Sequence, residues 1–231
     1  MTERAPVAPV VYLADVRRYF DTGVEVVRAV DGVDFEVSPG RMVCVYGASG
    51  SGKSTLLNLI AGLDLADSGR VEVVSKDLNQ LSATGRSDMR LKQVGVIFQD
   101  NNLVAEFSAS DNVVIPLMAA GKSRVEALDE AHSWFDRLGI GELFDRMPAN
   151  MSGGQRQRVG IARALAGGKV VLLADEPTGA LDSESSKSLF SLIAGLCRES
   201  GIAAVVATHD PLAQEYADAI YHMVDGKISQ S

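Results

Sequence analysis

The stretch Gly47-Ala48-Ser49-Gly50-Ser51-Gly52-Lys53-Ser54 constrains this chain more than any other. It lies between Met42–Tyr46, a continuous apolar run of strand length, and Leu56, Leu57 and Ile60 at helical spacing, closed by Gly62. Strand, glycine loop and helix make one βα unit. The loop fits the P-loop pattern, in which glycines let backbone N–H groups wrap phosphates at a helix N-terminus. In that pattern Lys53 reaches the β- and γ-phosphates and the Ser54 hydroxyl binds Mg²⁺. Chance supplies four such fixed positions in a chain of this length on the order of once in a hundred sequences.

The surrounding pattern predicts an α/β fold. Val170–Ala174 and Ala203–Ala207 are further continuous apolar runs leading into polar residues, as expected for parallel strands covered on both faces. Their chemistry then falls at the carboxyl ends, where open α/β sheets bind ligands. The first 40 residues alternate β-branched runs with turn signals: Val10–Val16, Val24–Val30 after Asp21-Thr22-Gly23, and Val33–Val37 after Asp31-Gly32. They read as an antiparallel β layer. Residues 88–165 read as mostly helical, with 126–138 the clearest amphipathic stretch. The expected architecture is one domain over 1–231: a P-loop core with a mostly parallel sheet (1–87 and 166–231), an N-terminal antiparallel β layer, and an inserted helical lobe (88–165).

Val171-Leu172-Leu173-Ala174-Asp175-Glu176 places an acid pair at the end of a buried strand. Asp175 is placed to hold Mg²⁺ through water, and Glu176 to polarise an attacking water as general base. An apolar run ending in Asp-Glu is common by itself; the P-loop upstream gives it meaning. Met151-Ser152-Gly153-Gly154-Gln155-Arg156-Gln157-Arg158 opens a helix through Val159, Ala162 and Leu165, just before that strand. Ser152 and two glycines at a helix N-terminus offer donors to an anion, a second phosphate site in a chain that already has one.

This segment resembles the signature loop of ABC-type ATPases. The rest of that family's set stands in order: Gln99 in Val96-Ile97-Phe98-Gln99, Pro177-Thr178-Gly179-Ala180-Leu181-Asp182 after the acid pair, and His209 after the 203–207 run. The resemblance covers nearly the whole chain. It implies ATP and Mg²⁺ as cofactors, with the P-loop through Thr55 on the phosphates. Ser54, Gln99 and Asp175 belong to the metal, and Glu176, His209 and Lys53 to catalysis. It further implies that one nucleotide is gripped by two copies head to tail, the P-loop of one and residues 152–155 of the other sharing the γ-phosphate, with Asp182 reporting across the pair. Adenine is expected on Tyr19 or the adjacent Phe20, with Tyr19 favoured. Met151 stands where the family usually has Leu, a swap of similar volume. Residues 101–116 are similar to the segment that docks a membrane subunit in the lipoprotein-release, macrolide-efflux and cell-division branch, although a plain hydrophobic loop packed on the lobe fits them nearly as well.

Composition limits the partners. With 22 Lys+Arg against 30 Asp+Glu, the formal charge of −8 argues against nucleic acid and against adsorption to anionic lipid, both of which reward clustered cations. Nothing approaches the ~18 consecutive apolar residues of a membrane span, and Met1–Val10 has no signal-peptide run. Two cysteines, Cys44 and Cys197, suit buried thiols in a reducing compartment. The expected protein is an ATPase subunit that works as a homodimer, cytoplasmic and held to the inner face of the cell membrane through integral permease subunits. A nucleotide-gated clamp that transmits force to a membrane partner and moves no solute needs the same ATP engine and is the alternative.

Overall fold

A computed structural model describes residues 8–98, 102–179 and 181–231. The chain runs β1 (Val11–Asp21), β2 (Val26–Val37), β3 (Met42–Tyr46), α1 (Lys53–Ile60), β4 (Ser68–Val73), β5 (Lys76–Asp77), α2 (Ala83–Gln93) and β6 (Val94–Ile97). It continues through α3 (Ala109–Ala119), α4 (Arg124–Arg137), α5 (Gly153–Leu165), β7 (Val171–Asp175), α6 (Ser183–Ser200), β8 (Ala203–Thr208), β9 (Ala219–Val224) and β10 (Lys227–Gln230).

Two sheets form. One is six-stranded in the order β10-β9-β3-β8-β7-β6, with parallel pairing everywhere except the β9–β10 hairpin. The second is antiparallel in the order β2-β1-β4-β5. Strand alternation divides the core between the two faces of the six-stranded sheet. Met42, Cys44 and Tyr46 of β3 pack with the apolar faces of α3 to α6, whereas Val43 and Val45 pack with α1 and the antiparallel layer. The same split runs through β7, with Leu172 and Ala174 on one side and Val171 and Leu173 on the other. Burial on both faces explains why these strands read as unbroken apolar runs. Cys44 and Cys197 are buried among them, and burial pushes both thiols up to about 12.

Two short segments differ from the expected elements. Val94–Ile97, placed by sequence inside the mostly helical stretch 88–165, pairs in parallel with β7 as the outer strand of the main sheet. Four residues are too short a run to separate from a helical segment by period. Asp31-Gly32, expected as a turn, lies within the continuous strand β2. Val16 pairs with Val33 and Arg17 with Asp31, leaving Gly32 as a bulge at φ +71°.

Candidate ATP site

The P-loop joins β3 to α1. Gly52, at φ +109°, precedes the helix and supplies no side-chain cap, whereas Ser82, Ser108, Ser123, Ser152 and Asp182 each cap their own α-helix with an oxygen. The opening N–H groups of α1 are therefore left for an anion. A Cβ on Gly52 would overlap the carbonyl oxygen of Ala29, and one on Gly47 would overlap that of Met223, so both glycines are required by close backbone packing.

Ser49, Gly50, Gly52, Lys53, Ser54 and Thr55 line a cleft of about 420 Å³, faced by Asp175, Glu176 and His209 from the ends of β7 and β8. Gly47, Ala48 and Ser51 belong to the loop but do not line this cleft. The Lys53 ammonium donates to the carbonyls of Gly47 (2.7 Å) and Ala48 (3.1 Å) and lies 3.6 Å from Glu176 Oε1. Glu176 Oε2 accepts from the His209 backbone N–H at 3.2 Å and meets His209 Nδ1 at 2.9 Å. One carboxylate thus bridges the lysine and the histidine. Glu176 holds its side chain there from a left-handed backbone at φ +44°, fixed by its N–H on Ala207 O and by Gly179 N–H on its own carbonyl. Such a conformation costs a non-glycine residue about 1–3 kcal/mol and persists only where the surroundings over-determine it.

The donor set suits a nucleotide with Mg²⁺. Ser54 and Asp175 present hard oxygen ligands on the same cleft, and among the described residues no cluster of three or more His, Cys, Asp or Glu forms a site of another kind. The Ser51 hydroxyl is buried and has no partner among the described residues. Gln99, the remaining expected metal ligand, lies outside the described residues.

The other wall of the cleft is apolar. Phe20, Val27 and Ala29 line the cleft; Tyr19 does not, because its hydroxyl donates to Asp31 Oδ1 at 2.5 Å. Phe20 is on the cleft wall and Tyr19 stands next to it in β1, so both expected rings lie at this end of the cleft. Sequence reasoning missed Val27 and Ala29 altogether, although the pairing of Phe20 with Val27 across β1 and β2 carries them to the same place.

Ser152, Gly153, Gly154 and Gln155 do not reach this cleft. Ser152 Oγ accepts from Gln155 N–H (3.2 Å) and Gln155 Oε1 from Ser152 N–H (2.9 Å), a reciprocal capping box at the start of α5. This leaves Gly153 and Gly154 N–H for an outside anion. Gly154 faces a separate cavity of about 250 Å³ between α5 and α6, with Leu181 on its wall. Asp182 caps α6 through Ser185 N–H at 2.8 Å, which holds its carboxyl below the usual range, and it too stays off the P-loop cleft. Thr178 Oγ1 donates to Asp210 Oδ2 at 3.1 Å, tying the segment after β7 to that after β8.

A phosphate-binding loop between a parallel strand and a helix, faced by an acid pair from a second strand, defines a P-loop nucleoside triphosphatase. The family profile described as ABC transporter matches residues 30–179, and the chain belongs to that family. It is 43% identical over 220 residues to the lipoprotein-releasing system ATP-binding protein LolD 2 of Caulobacter vibrioides, covering 95% of this chain and 96% of that protein. It is 40% identical to the macrolide export ATP-binding/permease protein MacB of Escherichia coli K12, of which it spans 34% of the length. The fold matches the dimeric structure of the bacterial ABC transporter cassette MJ0796 with TM-score 0.87 at 34% identity, covering 95% of this chain and 96% of that one. A dimeric post-hydrolysis state of the same cassette bound to ADP and Pi matches at TM-score 0.88 and 33% identity, covering 96% and 97% of the two chains. The chain is an ABC transporter ATP-binding subunit, a Mg²⁺-dependent ATPase.

Proposed function

We propose that two copies of this chain close head to tail on ATP and drive separate membrane permease subunits, the chain lying on the inner face of the membrane through them. The observation that carries this reading is the division of parts: Lys53, Glu176 and His209 meet on one cleft, while the N-terminus of α5 with its Gly153 and Gly154 donors faces elsewhere. Each nucleotide site is then completed by a second copy, in keeping with the dimeric MJ0796 structures. Glu176 takes the proton of the attacking water, His209 contacts the γ-phosphate and orients Glu176, and Lys53 turns from its loop carbonyls to the β- and γ-phosphates. Ser54, Asp175 and Gln99 would hold Mg²⁺, which when bound would offset phosphate charge. Ser152–Gln155 of the second copy reach the same phosphates, and Asp182 reports across the pair.

The exposed apolar side chains Val104, Ile115 and Met118 on and before α3 support permease docking by the lobe. Among the described residues no helix is long and apolar enough to cross a membrane. The release and export named for LolD 2 and MacB favour transport over a force-transmitting clamp. Glu176→Gln tests the site. It is expected to bind ATP, to shift from monomer to dimer with ATP in size-exclusion chromatography, and to lose about a hundredfold or more of its turnover. Wild-type hydrolysis in that variant removes Glu176 from the base role.

A further inference from the structure

Behind the cleft a chain of hydrogen bonds joins its two ends. The Ser51 carbonyl accepts from Gly226 N–H at 3.1 Å, and the Gly226 carbonyl accepts from Asp31 N–H at 2.8 Å. Asp31 Oδ1 then accepts from the Tyr19 hydroxyl at 2.5 Å. The two middle members belong to no nucleotide motif.

Gly226 sits in the turn between β9 and β10 at φ +77°, where a Cβ would overlap the carbonyl oxygen of Arg28 and approach that of Ala29 to 3.2 Å. The strand leading into that turn holds the P-loop from a second direction. The Met223 carbonyl covers Gly47, and Met223 Cε lies 2.7 Å from where a Cβ on Gly52 would stand. The loop is thus wedged between β2 and the C-terminal hairpin, backbone against backbone. Asp31 collects positive neighbours: Arg28 at 3.8 Å, Arg17 at 3.9 Å, and Lys227 more remotely. The Tyr19 hydroxyl, with these charges, holds its carboxyl below the usual range, so the acceptor is ionised at neutral pH.

We propose that Asp31 and Gly226 are positioning residues that fix the spacing between the phosphate loop and the Tyr19-Phe20 segment at the base end of the cleft. The proposal rests on the reading that this cleft holds ATP. A nucleotide gains from both ends at once only if their separation is set beforehand; otherwise part of its binding energy goes into ordering them. Asp31 cuts the chain at the base end, and Gly226 lies where it meets the loop.

Steady-state hydrolysis by the full chain, with inorganic tripolyphosphate as competitor, tests this. Asp31→Ala is expected to raise KM for ATP about five- to tenfold through loss of a hydrogen bond to a charged acceptor. It should keep kcat within about twofold. Its tripolyphosphate inhibition constant stays at the wild-type value, since that ligand has no base. Tyr19→Phe removes the same bond, so the double variant should be no worse than the worse single one. Gly226→Ala should weaken both ligands; if it does not fold, the Asp31 and Tyr19 variants still decide. An unchanged KM in Asp31→Ala, additive losses in the double variant, or an equal loss for tripolyphosphate overturns the proposal. Failure of the underlying ATP-site reading is separate, because it shows as wild-type ATP binding in Lys53→Ala, which removes the cation of the phosphate loop from the cleft.

Discussion

Two neighbouring aromatics in β1 do different work. Tyr19 spends its hydroxyl on Asp31, while the Phe20 ring lines the cleft with the Arg18 guanidinium 4.6 Å from its centroid. If a base stacks on this ring, the contact is worth roughly 1–3 kcal/mol. Phe20→Ala is therefore expected to weaken ATP binding about fivefold or more, measured by titration calorimetry, while tripolyphosphate binding holds. Alternation along a strand could not choose between adjacent residues. The bulge at Gly32 and the register shift between Arg18 and Tyr19 decide which ring faces the site, and neither is visible in residue types. Lys53, Glu176 and His209 needed no such choice, because each directly follows a strand or opens a helix whose type the apolar pattern had already set.

Among the elements, α4 and α5 open on the same device. Ser123 and Glu126 form a capping box on the lobe as Ser152 and Gln155 do at the signature segment. Only the second is expected to touch nucleotide, so the pair separates stability from function. Ser123→Ala should cost about 1 kcal/mol. In a chain of this size that is a fall of about 2–4 °C in Tm. Its hydrolysis should stay at the wild-type rate. Ser152→Ala should show a similar thermal loss and a drop in hydrolysis as well; equal activity in the two would reduce Ser152 to a helix cap. The long elements were legible because burial on one or two faces imposes a period. Val94–Ile97 was not, since a short strand amid helices carries no period of its own and is fixed by its pairing with β7.

For the whole molecule, the arrangement of the two phosphate-facing segments matters more than either alone. The sheet presents Lys53, Glu176 and His209 on one cleft, and α5 presents its N-terminus beside another cavity. The sequence supplied both segments as motifs, but their separation in space is a property of the packed core, where α5 lies against β6 and the lobe helices. One consequence is genetic. Consider a mixture of Glu176→Gln chains with chains altered at Ser152, each population inactive alone. In a mixed pair one site receives both lesions and the other receives neither, because the intact cleft of one chain meets the intact signature segment of the other. Mixing the two purified variants should restore about a quarter of the wild-type rate if pairs form at random. No recovery would mean that each chain completes its own site. Two defective alleles of this gene expressed in one cell should therefore rescue one another when their lesions lie on opposite halves of the site, and fail to do so when they lie on the same half.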